Sequence, residues 1–306
     1  MAHAASGQPR AAGLRWVAAM PWLFVAIWST GFVVARVAMP HSPPMTFLAL
    51  RFVLSLACFL VWIALSGAHW PREPMQWVHL GVVGVLLQTC YLGGVWAAVK
   101  AGMGAGTVAL MVGLQPCLTA VWLSLRAAPA TPRAAHRIVQ QWLGLALGLA
   151  GLVLVVWRKL GGGEVTAWNL GMGVIALLGI TSATLYQKRH VAPCDVRTAS
   201  AIQMAAALVV SVPFALGEAG ALTWSLPVIG ALAWSVLVLT LGGSSLLYLL
   251  IARGAATQVS SLMYLVPPCT AVLAWWMFGE PFTLVMLLGL VLTATGVALV
   301  VRAGSA

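Results

Sequence analysis

Arg51 is the one charged side chain that lies well inside an apolar stretch of this sequence. Placing a guanidinium in the hydrocarbon core of a bilayer costs about 2.5–3.5 kcal/mol on insertion scales, so Arg51 should face protein or water and find an acceptor. One interpretation is that Arg51 binds the carboxylate of a ligand. The other is that it ties helix ends together or extends its charged end to a membrane interface about two turns away.

Uncharged polar and aromatic side chains inside the apolar stretches form a second group of candidates. An unpaired amide or hydroxyl in lipid is costly, so these side chains should point inward. For any single Ser or Thr, a bond to its own helix or packing between helices is the alternative interpretation. Together with Arg51, the candidates for lining an internal cavity are Trp28, Ser29, Gln88, Tyr91, Gln115, Ser182, Tyr248 and Tyr264.

The acidic residues all lie outside these stretches or at their ends. The chain has only five: Glu73, Glu164, Asp195, Glu218 and Glu280. Proton-coupled membrane proteins commonly use a carboxylate inside the membrane, so this placement argues against proton coupling. His190, Cys194 and Asp195 share one connection, but their basic neighbours and the missing fourth ligand argue against a metal site. We expect no catalytic residues, no metal and no cofactor.

Composition indicates that lipid is the main solvent of this chain. Hydrophobic residues make up 62% and charged residues 7%, against about 25% charged residues in soluble domains. The net charge of +11 comes from basic residues scattered at the ends of apolar stretches, without the basic, aromatic-interleaved face of a nucleic-acid-binding protein. We therefore expect the lipid bilayer and a small molecule as partners, no nucleic acid, and a monomer or weak dimer.

Hydrophobic run lengths predict an all-α integral membrane protein with ten transmembrane helices. Each run is long enough, with its flanks, to cross a bilayer core of about 30 Å. The predicted spans are residues 15–35, 45–65, 77–99, 106–125, 139–157, 168–186, 198–216, 227–251, 259–278 and 282–301. Eleven basic residues fall on the side of the N-terminus and four on the other. This positive-inside bias predicts that both termini are cytoplasmic.

The second half of the chain repeats the first. One fixed separation carries several residues of the first half onto identical residues of the second: Gly102 onto Gly254, Leu110 onto Leu262, Pro116 onto Pro268 and Cys117 onto Cys269. With five spans per half, the second copy must cross the membrane in the opposite sense, as in inverted-repeat transporters. The predicted organisation is a cytoplasmic tail at 1–14, a first five-helix repeat at 15–158 and a second at 168–302.

Proline and glycine mark the candidate hinges. Pro116 falls in the fourth span and the pair Pro267 and Pro268 in the ninth. Proline removes a backbone hydrogen bond and clashes with the preceding turn. Kinked hinges beside a substrate site are one interpretation of these prolines and of the glycine pairs at 93–94 and 242–243, and close helix packing is the other.

Several motifs in fixed order carry a resemblance to a known family. They are WSTGF at 28–32, LALRF at 48–52, LQPCLTAVW at 114–122, LVPPCTAVLAWWMFGEPFT at 265–283 and GLVLTATGV at 289–297. With ten spans and a duplication, the chain resembles the EamA branch of the drug/metabolite transporter superfamily over nearly its full length. One departure is that the first half reads Arg126-Ala127-Ala128 where the second has Gly279-Glu280.

The resemblance implies two inverted five-helix halves around a central cavity. It also implies export of small metabolites, amino-acid-like or drug-like, across the inner membrane. Alternating access through the cavity would then move the substrate. The embedded carboxylate is missing, which favours facilitated efflux. The alternative is a non-transporting membrane scaffold or a membrane-embedded enzyme, although no set of nucleophile, base and metal ligands converges at one membrane depth.

Overall fold

The computed structural model describes residues 9–125, 132–160, 162–252 and 263–305. Within these ranges the chain is helical and contains no β-strand. By length and composition, nine of the described helical segments can cross a membrane, and Met263–Phe278 is a shorter apolar one. The predicted all-helical membrane architecture is therefore confirmed in this coarser form.

Most of the predicted spans correspond to single helices; within the described ranges the third, fourth and eighth are divided, and the ninth is described from Met263 onward. The helices in chain order are α1 (Pro9–Ala38), α2 (Pro44–Ser66), α3 (Pro74–Gly84), α4 (Gly93–Lys100), α5 (Ala105–Val112), α6 (Gln115–Leu125), α7 (Pro132–Leu160), α8 (Ala167–His190), α9 (Val196–Gly217), α10 (Leu226–Ala233), α11 (Gly243–Ala252), α12 (Val266–Phe278) and α13 (Leu284–Ser305). A π-helical segment, Val85–Leu92, joins α3 to α4, and another, Trp234–Gly242, joins α10 to α11. Short 3₁₀ turns, Met39–His41 and Met263–Leu265, follow α1 and precede α12.

Helix α1 begins at Pro9, inside the predicted tail at 1–14 and before the predicted start of the first span at residue 15. Residues 1–8 lie outside the described ranges. Proline also opens α2, α3 and α7. Its fixed φ suits the first turn of a helix, where the missing N–H would have no intrahelical partner.

The fifth and tenth spans pack closely against each other. Helices α7 and α13 pack along their length, with Gly144 against Gly296 and Gly151 against Gly289. A Cβ atom on Gly144 would lie 2.5 Å from the carbonyl oxygen of Gly296, and one on Gly151 would lie 2.5 Å from that of Gly289. Small residues that let two backbones approach are the usual device of helix association in membranes.

The candidate hinge prolines lie in the first turns of helices. Pro116 is the second residue of α6, which follows a break at residues 113–114. Pro267 and Pro268 occupy the first turn of α12. Because amides in the first turn have no intrahelical acceptor, proline there removes no helix bond. Pro116, Pro267 and Pro268 therefore lie at the starts of helices, and their role as hinges stays a prediction.

The break in the fourth span contacts the start of α12. Helix α5, which ends at this break, packs against α12. A Cβ atom on Gly113 would lie 2.6 Å from Cγ of Pro267. Glycine at position 113 therefore lets the break pack closely against the first turn of α12.

One face of the helix assembly is closed by polar contacts between its connections. We call this the sealed face; it comprises residues 39–43, 101–104, 162–166, 218–225 and 279–283. The Glu218 carboxylate accepts hydrogen bonds from the backbone amides of Met45 and Thr46, both at 2.8 Å, in the first turn of α2. The backbone amide of Thr223 donates to the carbonyl oxygen of His41 at 2.9 Å.

A second carboxylate cluster caps α5 at the same face. Glu280 accepts from the amide of Ala105 at 2.9 Å, and Glu164 accepts from the amide of Gly104 at 3.0 Å. Lys159 forms an ion pair with Glu164 at 2.7 Å. Carboxylates at helix N-termini bond the free amides and interact favourably with the helix dipole. Glu218 and Glu280, both from the second half of the chain, thus bond to helices of the first half and close the sealed face.

The cap on α2 should contribute to stability. Replacing Glu218 with Ala removes both acceptors, so we expect a loss of about 1–2 kcal/mol in the free energy of unfolding, measured as a lower thermal midpoint in detergent. Glu73→Ala is the matched control, because Glu73 precedes α3 without making a side-chain cap. Equal midpoints for the two variants would contradict the capping role.

Candidate functional site

A cavity of about 640 Å³ enters the assembly from the face opposite the sealed face. We call that side the open face; it carries the connections 67–73 and 191–195. Residues 191–194 line the mouth, and none of the lining residues belongs to the sealed-face connections. The volume lies within the range of about 300–1,000 Å³ that is typical of small-molecule sites. Within the described ranges, the lining of the cavity therefore reaches the open face and not the sealed face.

Arg51 supplies the charge inside the cavity. Its side chain projects from α2 and only 6% of the residue is exposed. Nη2 and Nε donate to the hydroxyl of Thr240 at 3.1 and 3.4 Å. The Thr240 hydroxyl in turn donates to the carbonyl oxygen of Ser235 at 2.8 Å. Arg51 is therefore fixed against the second π-helical segment.

Aromatic and aliphatic side chains form the apolar wall of the cavity. Phe24 and Trp28, one turn apart on α1, stack with ring centroids 5.5 Å apart. Trp96 on α4 stacks on Phe47 with centroids 4.6 Å apart and is almost completely buried. Tyr91 is buried and belongs to the same lining as Trp28 and Arg51. The wall can thus receive an apolar group beside the guanidinium.

The two π-helical segments place polar side chains in this cavity. Gln88 and Tyr91 belong to the first segment and Thr240 to the second, and all three line the cavity. A π-helical turn holds an extra residue, so it shifts the direction of every side chain that follows, and such turns frequently occur at functional sites. This shift determines which side of the third and eighth spans faces the cavity.

Four of the predicted cavity residues come together as expected. Trp28, Arg51, Gln88 and Tyr91 all line the cavity. Residue Tyr248 lies in α11, and its side chain is outside the described part of the structure.

Four other candidates lie elsewhere. Ser29 is completely buried and donates to the carbonyl oxygen of Val25 at 2.8 Å, so it bonds its own helix. The Gln115 amide donates to Thr119 and Thr184 at 3.2 Å each, between α6 and α8. Ser182 is exposed on α8. Tyr264 packs against the cluster around Cys117. None of the four lines this cavity.

Sequence reasoning missed Gln203 and Thr240 as lining residues. The signal that could have found them is the internal repeat. The separation that carries Arg51 onto Gln203 also carries Gln88 onto Thr240. Because Arg51 and Gln88 were already candidates for the cavity lining, their counterparts Gln203 and Thr240 in the second repeat could have been added to the candidates.

The mouth of the cavity contains a thiol. The Gln76 amide donates to Cys194 Sγ at 3.8 Å and to the carbonyl oxygen of Ala192 at 2.8 Å. Burial raises the pKa of the Cys194 thiol, which is therefore protonated to a greater extent at neutral pH than a free cysteine. Over the described ranges, no group of three or more His, Cys, Asp or Glu side chains gathers as a metal site.

The fold and the cavity define a class. A helical protein that crosses the membrane many times and encloses a small-molecule cavity reached from one face has the architecture of a membrane transporter. Comparison with known sequences supports this class. The sequence profile of the EamA-like transporter family matches residues 15–157 and again residues 165–302. The chain belongs to the EamA-like transporter family, and it is a multi-pass integral membrane protein.

Individual relatives are distant but extend over most of the chain. The uncharacterized transporter YvbV of Bacillus subtilis is 27% identical over 90% of this chain and 88% of its own. A probable amino-acid metabolite efflux pump of Salmonella typhimurium is 25% identical over 90% of this chain and 91% of its own. A solved crystal structure of a protein, 17% identical, matches with a TM-score of 0.61 over 93% of this chain and 97% of that chain, which shows the fold alone.

The two faces predict opposite sidedness for thiol labelling. In a protein with Cys58, Cys90, Cys117 and Cys269 replaced, a membrane-impermeant maleimide should reach Cys194 only from the side of the open face. A Cys194→Ser, Ala221→Cys variant should be labelled only from the other side, because Ala221 is exposed on the sealed face. At neutral pH, Cys194 should also react more slowly with the maleimide than the cysteine introduced at position 221, since burial raises the pKa of Cys194. The difference between the two labelling rates should narrow as the pH rises and more of the Cys194 thiol ionises. Labelling of both positions from one side would contradict the assignment.

Proposed function

We propose that this protein exports small metabolites, amino-acid-like or drug-like, across the bacterial-type inner membrane by alternating access through the cavity. The observation that carries the proposal is the asymmetry of the two faces. The cavity opens at one face, while carboxylates bonded to helix N-termini close the other. A substrate could load from the open face and leave once the sealed face opens. Amino-acid metabolites enter the proposal because the Salmonella relative is a probable amino-acid metabolite efflux pump.

The distribution of basic residues supports the direction. Arg72, Lys188 and Arg189 belong to the open face, whereas Lys100 and Lys159 bond within the sealed face. By the positive-inside rule the open face is cytoplasmic. The proposed topology is ten spans in two inverted five-helix repeats with both termini cytoplasmic. The cavity then accepts substrate from the cytoplasm, as export requires.

Alternating access requires the sealed face to come apart. Glu218 must leave the first turn of α2, and Glu280 must leave the first turn of α5. The bonds are made by side chains at the membrane surface, where water can take over the freed amides and carboxylates, so the net cost of breaking each is small compared with its strength in isolation. The break at residues 113–114, which packs against Pro267, and the two π-helical segments are the places where the backbone could adjust.

The driving force follows from the positions of the acids. Proton exchange commonly uses a carboxylate that meets protons and substrate in turn inside the membrane. Here Glu164, Glu218 and Glu280 lie at the sealed face, Asp195 caps α9, and Glu73 lies exposed before α3. None of them lines the cavity. The proposed mechanism is therefore facilitated efflux down the substrate gradient by a monomer or weak dimer.

Transport in proteoliposomes tests this proposal. Purified protein should release loaded amino-acid-like compounds down their gradient faster than protein-free liposomes of the same lipid. Collapsing the pH gradient with a protonophore should leave most of this efflux intact, because no carboxylate in the cavity takes up a proton. Efflux that falls to background while the substrate gradient persists would rule out the facilitated mechanism.

A further inference from the structure

We propose that the substrate is an amphiphilic monoanion: a molecule with one anionic group, an apolar body and no free ammonium group. This inference rests on the proposed transport function and specifies the substrate class of the same cavity. The anionic group binds the Arg51 guanidinium, and the apolar body lies against Phe24, Trp28 and the neighbouring aliphatic wall.

The charges of the cavity have one sign. Its charged lining residues are Arg51 in the interior and Lys188 near the mouth. The chain has only five acids, all within the described ranges, and every one is placed outside the lining. Water is restricted in such a site, so interactions between charges are stronger there than at the surface. The cavity therefore favours a negative ligand.

Arg51 has capacity for a ligand that the protein itself does not fill. A guanidinium carries five N–H donors, and the Thr240 hydroxyl accepts from two of its nitrogens. Across the described ranges no carboxylate pairs with Arg51. A buried charge without a counter-ion is costly, and a carboxylate or similar oxyanion matches the guanidinium in a two-bond geometry. Binding an anion would satisfy the remaining donors.

An ammonium group would gain nothing comparable. Its possible acceptors in the lining are neutral side chains such as Gln88, Gln203 and Ser244. Arg51 and Lys188 both repel a positive charge. A zwitterion would gain at its carboxylate and lose at its ammonium group, whereas a monoanion only gains. The preference follows from the missing acid rather than from the presence of Arg51 alone.

Four probes on one scaffold separate the two charges: N-acetyl-L-phenylalanine, L-phenylalanine, L-phenylalanine amide and N-acetyl-L-phenylalanine amide. At about pH 6, below the pKa of the amino groups and above that of the carboxyl groups, these are an anion, a zwitterion, a cation and a neutral molecule of similar shape. Initial rates in proteoliposomes, corrected for protein-free liposomes, are the readout. We expect the anion to have an apparent affinity about tenfold higher than the zwitterion, as one charge-assisted hydrogen bond allows, with the cation weakest.

Two substitutions connect this preference to Arg51. Arg51→Gln should bring the anion close to the neutral probe, and Arg51→Lys should retain part of the preference because the charge remains without the paired geometry. Arg189→Gln is the control, since Arg189 is an exposed residue one position from Lys188 and does not line the cavity. It removes the same charge and should leave the order of the four probes unchanged.

The outcomes separate this inference from the function on which it rests. If none of the four probes moves faster than in protein-free liposomes, the transport proposal for this scaffold is overturned. If the zwitterion and the anion have equal affinity, only the monoanion assignment is overturned. If Arg189→Gln removes the preference as fully as Arg51→Gln does, general surface charge is responsible and Arg51 is not the anchor. If Arg51→Gln does not reach the membrane, Arg51→Lys and the native protein together decide.

Discussion

The first amides of a helix have no acceptor within the helix, and a protein that lies largely in lipid must provide acceptors from elsewhere in the chain. This protein meets that need at one face with scarce carboxylates. It has only five acids in 306 residues, and Glu164, Glu218 and Glu280 all accept from backbone amides at the first turns of α2 and α5. The same bonds that complete these helices join the second half of the chain to the first and close the sealed face.

The cavity follows from the same distribution of charge. With three acids at the sealed face, one capping α9 and one exposed, none remains to neutralise Arg51 in the interior. The guanidinium is held by a hydroxyl of the second π-helical segment and keeps donors for a ligand. A cavity open at one face, closed at the other and positive in its interior is therefore the result of where a few polar groups are placed among apolar helices.

Sequence reasoning predicted the helices better than it predicted their orientation. Run length alone identifies most of the spans, because only about 20 apolar residues cross a bilayer as a helix. The interior charge at Arg51 and the candidates Trp28, Gln88 and Tyr91 also followed from the cost of polar groups in lipid. Ser182 was misplaced because lipid-facing and core-facing surfaces are both apolar, so hydrophobic periodicity does not tell which side of a membrane helix is inside. The π-helical segments change the direction in which the following side chains of a span point. They have no recognisable pattern in the sequence.

Locking the sealed face measures the central claim most directly. His41 and Thr223 lie side by side there, joined by a backbone hydrogen bond of 2.9 Å. In a protein without its native cysteines, His41→Cys and Thr223→Cys can be joined by a short, reducible thiol cross-linker and the protein reconstituted in liposomes. If the sealed face must open in each cycle, cross-linking should reduce substrate efflux to the level of protein-free liposomes, and reduction should restore it. Undiminished efflux through fully cross-linked protein would contradict alternating access at this face.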